Sequence, residues 1–262
     1  MTDSETSFEL GIVGVGAIAE AIVTGLCAGR EAAPSILLSP RGRARSRALA
    51  SAYPSVEVAQ DNDSVIRRSR VVLLSVRPQD AGPVLRDLAF SPGQLVISAV
   101  AGLSIGRLRE LAAPATEVAR AIPLPAVARG RGLTVLYPPQ PEAQALFDRL
   151  GGTIAVGDEA AFNALSAASA TVAAHFAYLA TVSRWLTGQG IGEADATRYV
   201  AATFAPLAEA LSPPPADLMA LADEHATPGG LNEQFHASLR QAGVFEAVEH
   251  SLDQIADRLR QG

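Results

Sequence analysis

LGIVGVGAIAEAIVTGL, Leu10–Leu26, decides the reading of this chain: a short apolar run, a turn built from glycines, then an alanine-rich helix. Leu10, Ile12 and Val13 suit a buried strand, and Gly14, Gly16 and Ala19 follow at the spacing G-x-G-x-x-A. Each small residue has a job. Gly14 permits the sharp turn, Gly16 lets backbone N–H groups come up to a pyrophosphate, and Ala19 lets the helix pack closely on the strand. Ala17 and Ile18 fill the first turn of that helix, where unpaired N–H groups and the helix dipole favour the negative charge of a phosphate. The plainer alternative is an ordinary strand-to-helix turn.

Working outward, Ile36–Ser39 reads as a second strand whose end faces the adenosine ribose of a bound dinucleotide. An acidic residue there favours NAD. This chain has Ser39, Pro40 and Arg41, then Arg43, Arg45 and Arg47, and a hydroxyl with guanidinium groups suits a 2′-phosphate. NADPH is therefore the expected cofactor and NADH the alternative; the plainer reading of the arginines is a solvated helix start. Val56–Ala59 is a third short strand, and Asp61-Asn62-Asp63-Ser64 a loop that caps the next helix. Val71–Val76 and Leu95–Val100 are near-continuous apolar runs of the kind found in parallel strands covered on both faces, and Glu117–Ala121 and Leu133–Tyr137 are weaker strands. Strands alternating with helices predict an α/β, Rossmann-like, doubly wound sheet with its ligand at the carboxyl ends of the strands. Beside the Gly14–Ala19 turn, the candidate cofactor contacts are Ser39, Arg41, Asn62, Val76, Arg77, Pro78, Ala101 and Gly102.

Composition narrows the field. The 262 residues are 48% hydrophobic, enough for a sizeable core, and the net charge of −6 argues against a general nucleic-acid binder. Cys27 is the only cysteine, which rules out an intrachain disulfide and a cysteine-rich metal site. Asp3, Glu5 and Glu9 stand where a signal peptide would be basic and then apolar, so a cytoplasmic protein is expected. All 21 basic residues are arginine. Without lysine there is no Schiff base, no pyridoxal attachment, no Walker lysine and no lysine proton donor.

Near Gly157 the β-like runs stop. Asp158–Thr187 reads as one alanine-rich helix, uncharged from Ala160 to Ser183, and too polar and small in its side chains for a membrane span. Small residues let helices approach closely, so a buried helix shared between subunits is expected. Helices follow over Glu193–Leu211, Ala216–Asp223, Asn232–Gln241 and Val244–Arg260, with turns at Ser212–Pro215, Thr227–Gly230 and Gly243. The division is 1–157 for dinucleotide binding and 158–262 for a helical dimerisation and substrate domain.

GIVGVGAIAEAIVTGL at Gly11–Leu26, LLSVRPQ at Leu73–Gln79, LVISAVAGLSI at Leu95–Ile105, RAIPLPAVARGRG at Arg120–Gly132 and TPGG at Thr227–Gly230 stand in a telling order. Together they resemble the motifs of the pyrroline-5-carboxylate reductase family over nearly the whole chain. The resemblance implies a Rossmann domain, a helical domain that forms a homodimer or a higher oligomer, and reduction of a cyclic imine to proline with NAD(P)H. It also marks departures. The family's MPNTP is Ile122–Ala126 here, its GSGPAY is matched by Ser169–Ala174, and the threonines of its SPGGTT become Leu231 and Asn232. Since those family residues hold the substrate carboxylate and imine, this chain needs other donors or another acceptor.

The cofactor supplies the hydride, so the protein need only orient an acceptor and manage one proton. Thr227, Asn232 and the N–H groups of Gly229 and Gly230 can bind an acid group at a helix start, with Leu231 beside them, or can simply cap that helix. His175 is a proton donor or a core or interface histidine; His225 is a weaker candidate, and His236 and His250 read as surface residues. Glu224, His225 and Glu233 make no convincing metal set. The leading reading is an NADPH-dependent reductase of a C=N bond. The alternatives are a non-catalytic NADP(H)-binding dimer of the same fold and a dehydrogenase acting on another small substrate. The partners are a small-molecule imine and a second copy of the chain, without nucleic acid, membrane or metal.

Overall fold

The computed structural model describes residues 7–212 and 217–261. The acidic residues Asp3 and Glu5, the Pro213–Pro215 turn and the helix start expected at Ala216 lie outside them. Two compact units are formed, one running to Ser166 and taking in residues 257–261, the other Ala167–Ala256.

The first unit carries β1 (Phe8–Val13), α1 (Ala17–Cys27), β2 (Ile36–Leu38), α2 (Arg43–Ala52), β3 (Val56–Val58), α3 (Asn62–Arg67), β4 (Ser69–Leu74), α4 (Pro78–Arg86) and β5 (Leu95–Ser98). Then come α5 (Ile105–Leu111), β6 (Glu117–Ile122), a 3-10 helix (Pro125–Arg129), β7 (Thr134–Tyr137), α6 (Pro141–Asp148) and β8 (Thr153–Ala155). The eight strands form one sheet in the order β3-β2-β1-β4-β5-β6-β7-β8, parallel except at β6–β7. The order reverses beside β1, which opens a crevice at the carboxyl ends of β1 and β4.

Alternation along each strand builds two cores. Leu10, Ile12, Ile36, Leu38 and Leu73 face one side, with α1 and α6. Val13, Leu37, Val72, Leu74 and Val96 face the other, with α3, α4 and α5. Each fully buried aliphatic side chain contributes about 1.5–3 kcal/mol. Gly25 lets α1 lie against the 3-10 helix, for a Cβ there would stand 2.2 Å from the Val127 carbonyl oxygen.

Several boundaries differ from expectation. β4 begins at Ser69 and ends at Leu74, so Ser75 and Val76 belong to the loop, and β5 stops at Ser98. β8 escapes the hydrophobic pattern because Thr153, Ile154 and Ala155 are barely buried at the sheet's edge. The sheet unit also continues past Gly157, because the first turns of the next helix pack on β6.

The helical region comprises α7 (Glu159–Ser169), α8 (Thr171–Gly188), α9 (Glu193–Phe204), a 3-10 helix (Ala205–Leu211), α10 (Leu218–Glu224), α11 (Leu231–Gln241) and α12 (Val244–Gln261). The single helix expected over 158–187 is therefore two, broken at Ala170, and its second part has no buried residue within this chain. The helix expected to reach Leu211 ends at Phe204, since Pro206 has no N–H to donate.

Candidate active site

Gly14 turns the chain out of β1 with φ +91°, a conformation that a side chain strains, and an added Cβ would also strike Ser75 and Val76. Two serines brace the turn. The Gly14 N–H donates to Ser39 Oγ at 3.0 Å, and Ser75 Oγ donates to the Gly14 carbonyl at 2.5 Å. Gly16 caps α1 without any side-chain hydrogen bond, and the space where its Cβ would lie is open. The first amides of α1 thus have no partner within the helix and face a cradle that only a residue lacking a side chain leaves free. That arrangement fits a pyrophosphate.

Ser39 is corrected by this geometry. It is 0% exposed, its hydroxyl is occupied by Gly14, and its carbonyl accepts from Ser46 Oγ at 3.0 Å, so it shapes the turn and has no surface for a ribose phosphate. Arg41 stays available. Its side chain is 66% exposed and reaches Asp80 of α4 only at 3.9 Å. Arg45 pairs with Glu20 of α1 at 2.5 Å, beside an open groove of about 620 Å³ over Gly42, Arg43 and Ala44. Asn62 starts α3 behind Asp61, whose carboxylate accepts the Ser64 N–H at 2.7 Å; the Ser64 hydroxyl and then this N–H hold the Asp61 carboxyl below its ordinary range. Val76 is half-buried, while Arg77 and Pro78 are exposed at the start of α4. Ala101 is exposed, and Gly102, at φ +75°, has open space around it. Backbone bonds Ser39 N–H to Ile12, Ser75 N–H to Val13 and Ala99 N–H to Leu74 carry these loops off one edge of the sheet.

A polar cluster on the same unit was not foreseen. Arg120, on β6 opposite Ser98, is 3% exposed; its Nη1 donates to Glu159 Oε1 at 2.7 Å and to Asn163 Oδ1 at 3.1 Å. Its guanidinium carbon lies 4.3 Å from the centre of the Phe162 ring. Burial pushes the guanidinium pKa down and Glu159 opposes that push, so Arg120 remains a paired cation. The signal was an arginine set between Ala119 and Ala121 in a strand, which demands a buried partner.

In the helical unit, the Thr227–Asn232 turn is largely satisfied from within. The Gly229 N–H donates to Glu233 Oε2 at 2.7 Å, the Gly230 N–H to the Thr227 carbonyl at 2.8 Å, and Asn232 Nδ2 to the His225 carbonyl at 2.9 Å. Leu231 is 84% exposed. Glu233 was read only as part of a poor metal set, yet it places its carboxylate where an acid group was expected to bind. His175 is exposed on α8, edge-on to Phe176. His225 Nδ1 lies 2.8 Å from the Leu221 carbonyl and so carries a proton. His236 is half-buried, 5.5 Å from the Phe245 ring, rather than a surface residue.

Residues 9–102 match the family described as NADP oxidoreductase coenzyme F420-dependent, and residues 159–262 the one described as pyrroline-5-carboxylate reductase dimerisation. A pyrroline-5-carboxylate reductase of Synechocystis is 30% identical over 92% of this chain and 93% of its own length. That of Mycobacterium tuberculosis is 32% identical over 70% of this chain, an alignment that spans 66% of the relative. Among solved structures, the Streptococcus pyogenes enzyme superposes with a TM-score of 0.82 at 23% identity, covering 98% of this chain and 99% of that one. A reductive aminase of Aspergillus terreus in complex with NADPH4, cyclohexanone and allyl amine does so at 0.66 and 16% identity, covering 96% and 90%. The glycine turn, the sheet around it, the helical region and the near full-length relative agree, and the chain belongs to the pyrroline-5-carboxylate reductase family.

Proposed function

We propose that this protein is an NADPH-dependent reductase of a C=N bond, turning 1-pyrroline-5-carboxylate into proline or reducing an analogous imine. The observation that carries the reading is the family membership, held over 92% of the chain by the Synechocystis relative, together with a glycine cradle that fits the cofactor's pyrophosphate. NADPH, when bound, supplies a hydride to the imine carbon, and one proton from solvent or a side chain completes the amine. Gly14, Gly16, Ala17, Ile18 and Ala19 hold the pyrophosphate, and Arg41 grips the 2′-phosphate. Asn62, Val76, Arg77 and Pro78 flank the cofactor; Ala101 and Gly102 support its nicotinamide end. The acceptor lies at Thr227, Gly229, Gly230, Leu231 and Asn232, with His175 the first side chain to test as proton donor. The protein works in the cytoplasm as a soluble homodimer.

One observation favours a second reading, a non-catalytic NADP(H)-binding dimer: the donors at the Thr227–Asn232 turn are already engaged within the chain. NADPH oxidation followed with 1-pyrroline-5-carboxylate, 1-pyrroline and a panel of ketones separates the two. Turnover with an imine is the expected outcome. Tight NADPH binding with no acceptor reduced overturns it in favour of the second reading.

A further inference from the structure

We propose that Glu159, held by Arg120, is a positioning residue that fixes the Ala99–Ser104 loop; this rests on the assignment of Ala101 and Gly102 to the nicotinamide end of the cofactor. A single carboxylate oxygen, Glu159 Oε1, accepts two hydrogen bonds, from Arg120 Nη1 at 2.7 Å and from the Ile105 N–H at 2.7 Å. Ile105 is the residue at which the loop enters α5. The other end of the loop springs from Ser98, which stands opposite Arg120 in the sheet. Both ends of the loop are thus referred to one buried cation.

Between these ends Val100 is buried with Leu103 packed beside it, and the Ala99 N–H donates to the Leu74 carbonyl at 2.8 Å, so the part of the loop that depends most on its far end is Ala101–Gly102. The Val100 N–H donates to Ser98 Oγ at 3.2 Å, the Leu103 N–H to the Val100 carbonyl at 3.5 Å, and Gly102 sits at φ +75° with nothing near it. Arg120 is held further by Asn163 and by the Phe162 ring, and its buried charge needs its partner. Hydride transfer is sensitive to small displacements, so a tether at the base of the loop acts on kcat, whereas the phosphate end of the cofactor, held elsewhere, keeps the binding energy.

The test compares wild type with Glu159→Ala, Glu159→Gln and Ile105→Pro. Glutamine retains an oxygen that accepts both donors. Proline removes the loop's N–H, at a first helical position where proline is accepted and behind a residue, Ser104, already extended at ψ 156°, together with part of the buried Ile105 side chain, for which Ile105→Ala, which keeps the N–H, is the control. Glu159→Ala and Ile105→Pro are expected to lower kcat for the best imine about ten- to hundredfold, with Kd for NADPH and for 2′,5′-ADP changed less than about threefold. Glu159→Gln keeps the loop tethered, so its kcat stays within about threefold of wild type, while the uncompensated Arg120 cation shows as a lower Tm. Without ligand, the amides of residues 101–104 exchange about tenfold faster in the first two variants, while those of β1 do not change. Unaltered kcat and exchange in Ile105→Pro overturn the proposal. So does an equal loss of kcat and NADPH affinity with faster exchange across the sheet, which marks a merely structural pair. If Glu159→Ala does not fold, Ile105→Pro decides alone. If wild type reduces no imine, the functional reading fails, and the exchange experiment still decides whether the tether exists.

Discussion

Ser39 sits at the end of β2 with its hydroxyl turned inward to the Gly14 N–H, and with Ser75 on the Gly14 carbonyl it holds the turn that receives the cofactor. Ser39→Ala leaves that buried N–H without an acceptor. The expected cost is about 1–3 kcal/mol, read as a lower urea midpoint at unchanged slope, with weaker NADPH binding because the turn loosens. With Ser39 withdrawn, cofactor choice falls to Arg41, exposed and only loosely engaged by Asp80. A charge-assisted contact to a phosphate is worth about 1.5–3 kcal/mol. Arg41→Asp should therefore cut the preference for NADPH over NADH by roughly tenfold to a hundredfold, as measured by the two dissociation constants. An unchanged ratio would move the phosphate to Arg43 and its neighbours.

The start of α11 has no side-chain cap at Gly230, and Glu233, one turn in, bends back to the Gly229 N–H. A carboxylate at a helix N-terminus is favourable, so this one competes with the carboxylate of an acidic imine for the same donors. Glu233→Ala is expected to lower KM for 1-pyrroline-5-carboxylate about tenfold, roughly one charge-assisted hydrogen bond, while KM for uncharged 1-pyrroline stays constant. Equal shifts for both imines would place the acid group away from this turn. The helix itself loses about 0.5–2 kcal/mol of capping, visible as a lower Tm.

The chain leaves large apolar side chains in water throughout the helical region, among them Phe176 at 64%, Trp185 and Leu218. A groove of about 890 Å³ between α8 and α9 is walled by Phe176, Leu179, Ala180, Thr187 and Val200. By length and composition alone the helical stretch 159–188 passes as a membrane span, contrary to the expectation from its small and polar side chains. Yet it is broken at Ala170, and the region matched to the dimerisation family begins at its first residue. A second copy of the chain covers such faces at the lowest cost in exposed apolar area. Sedimentation at micromolar concentration should give twice the chain mass, and Phe176→Glu should shift the boundary toward the monomer. A folded wild-type monomer under the same conditions would refute the homodimer.

Local patterning determined the α/β unit. Gly14, Gly16 and Ala19 at their spacing, apolar runs alternating with helices, and proline and glycine punctuation are short-range signals, and the sheet follows because each strand must be covered on both faces. The match of motifs was equally legible, since it lies in the order of short segments. What the chain could not disclose is where polar side chains end their reach. Ser39 turned inward, Arg120 found Glu159 across 39 positions, and Glu233 folded back on Gly229. Those partners are set by strand register and helix packing, which bring distant residues within about 3 Å; only the tertiary structure decides which hydrogen bonds a buried group can make.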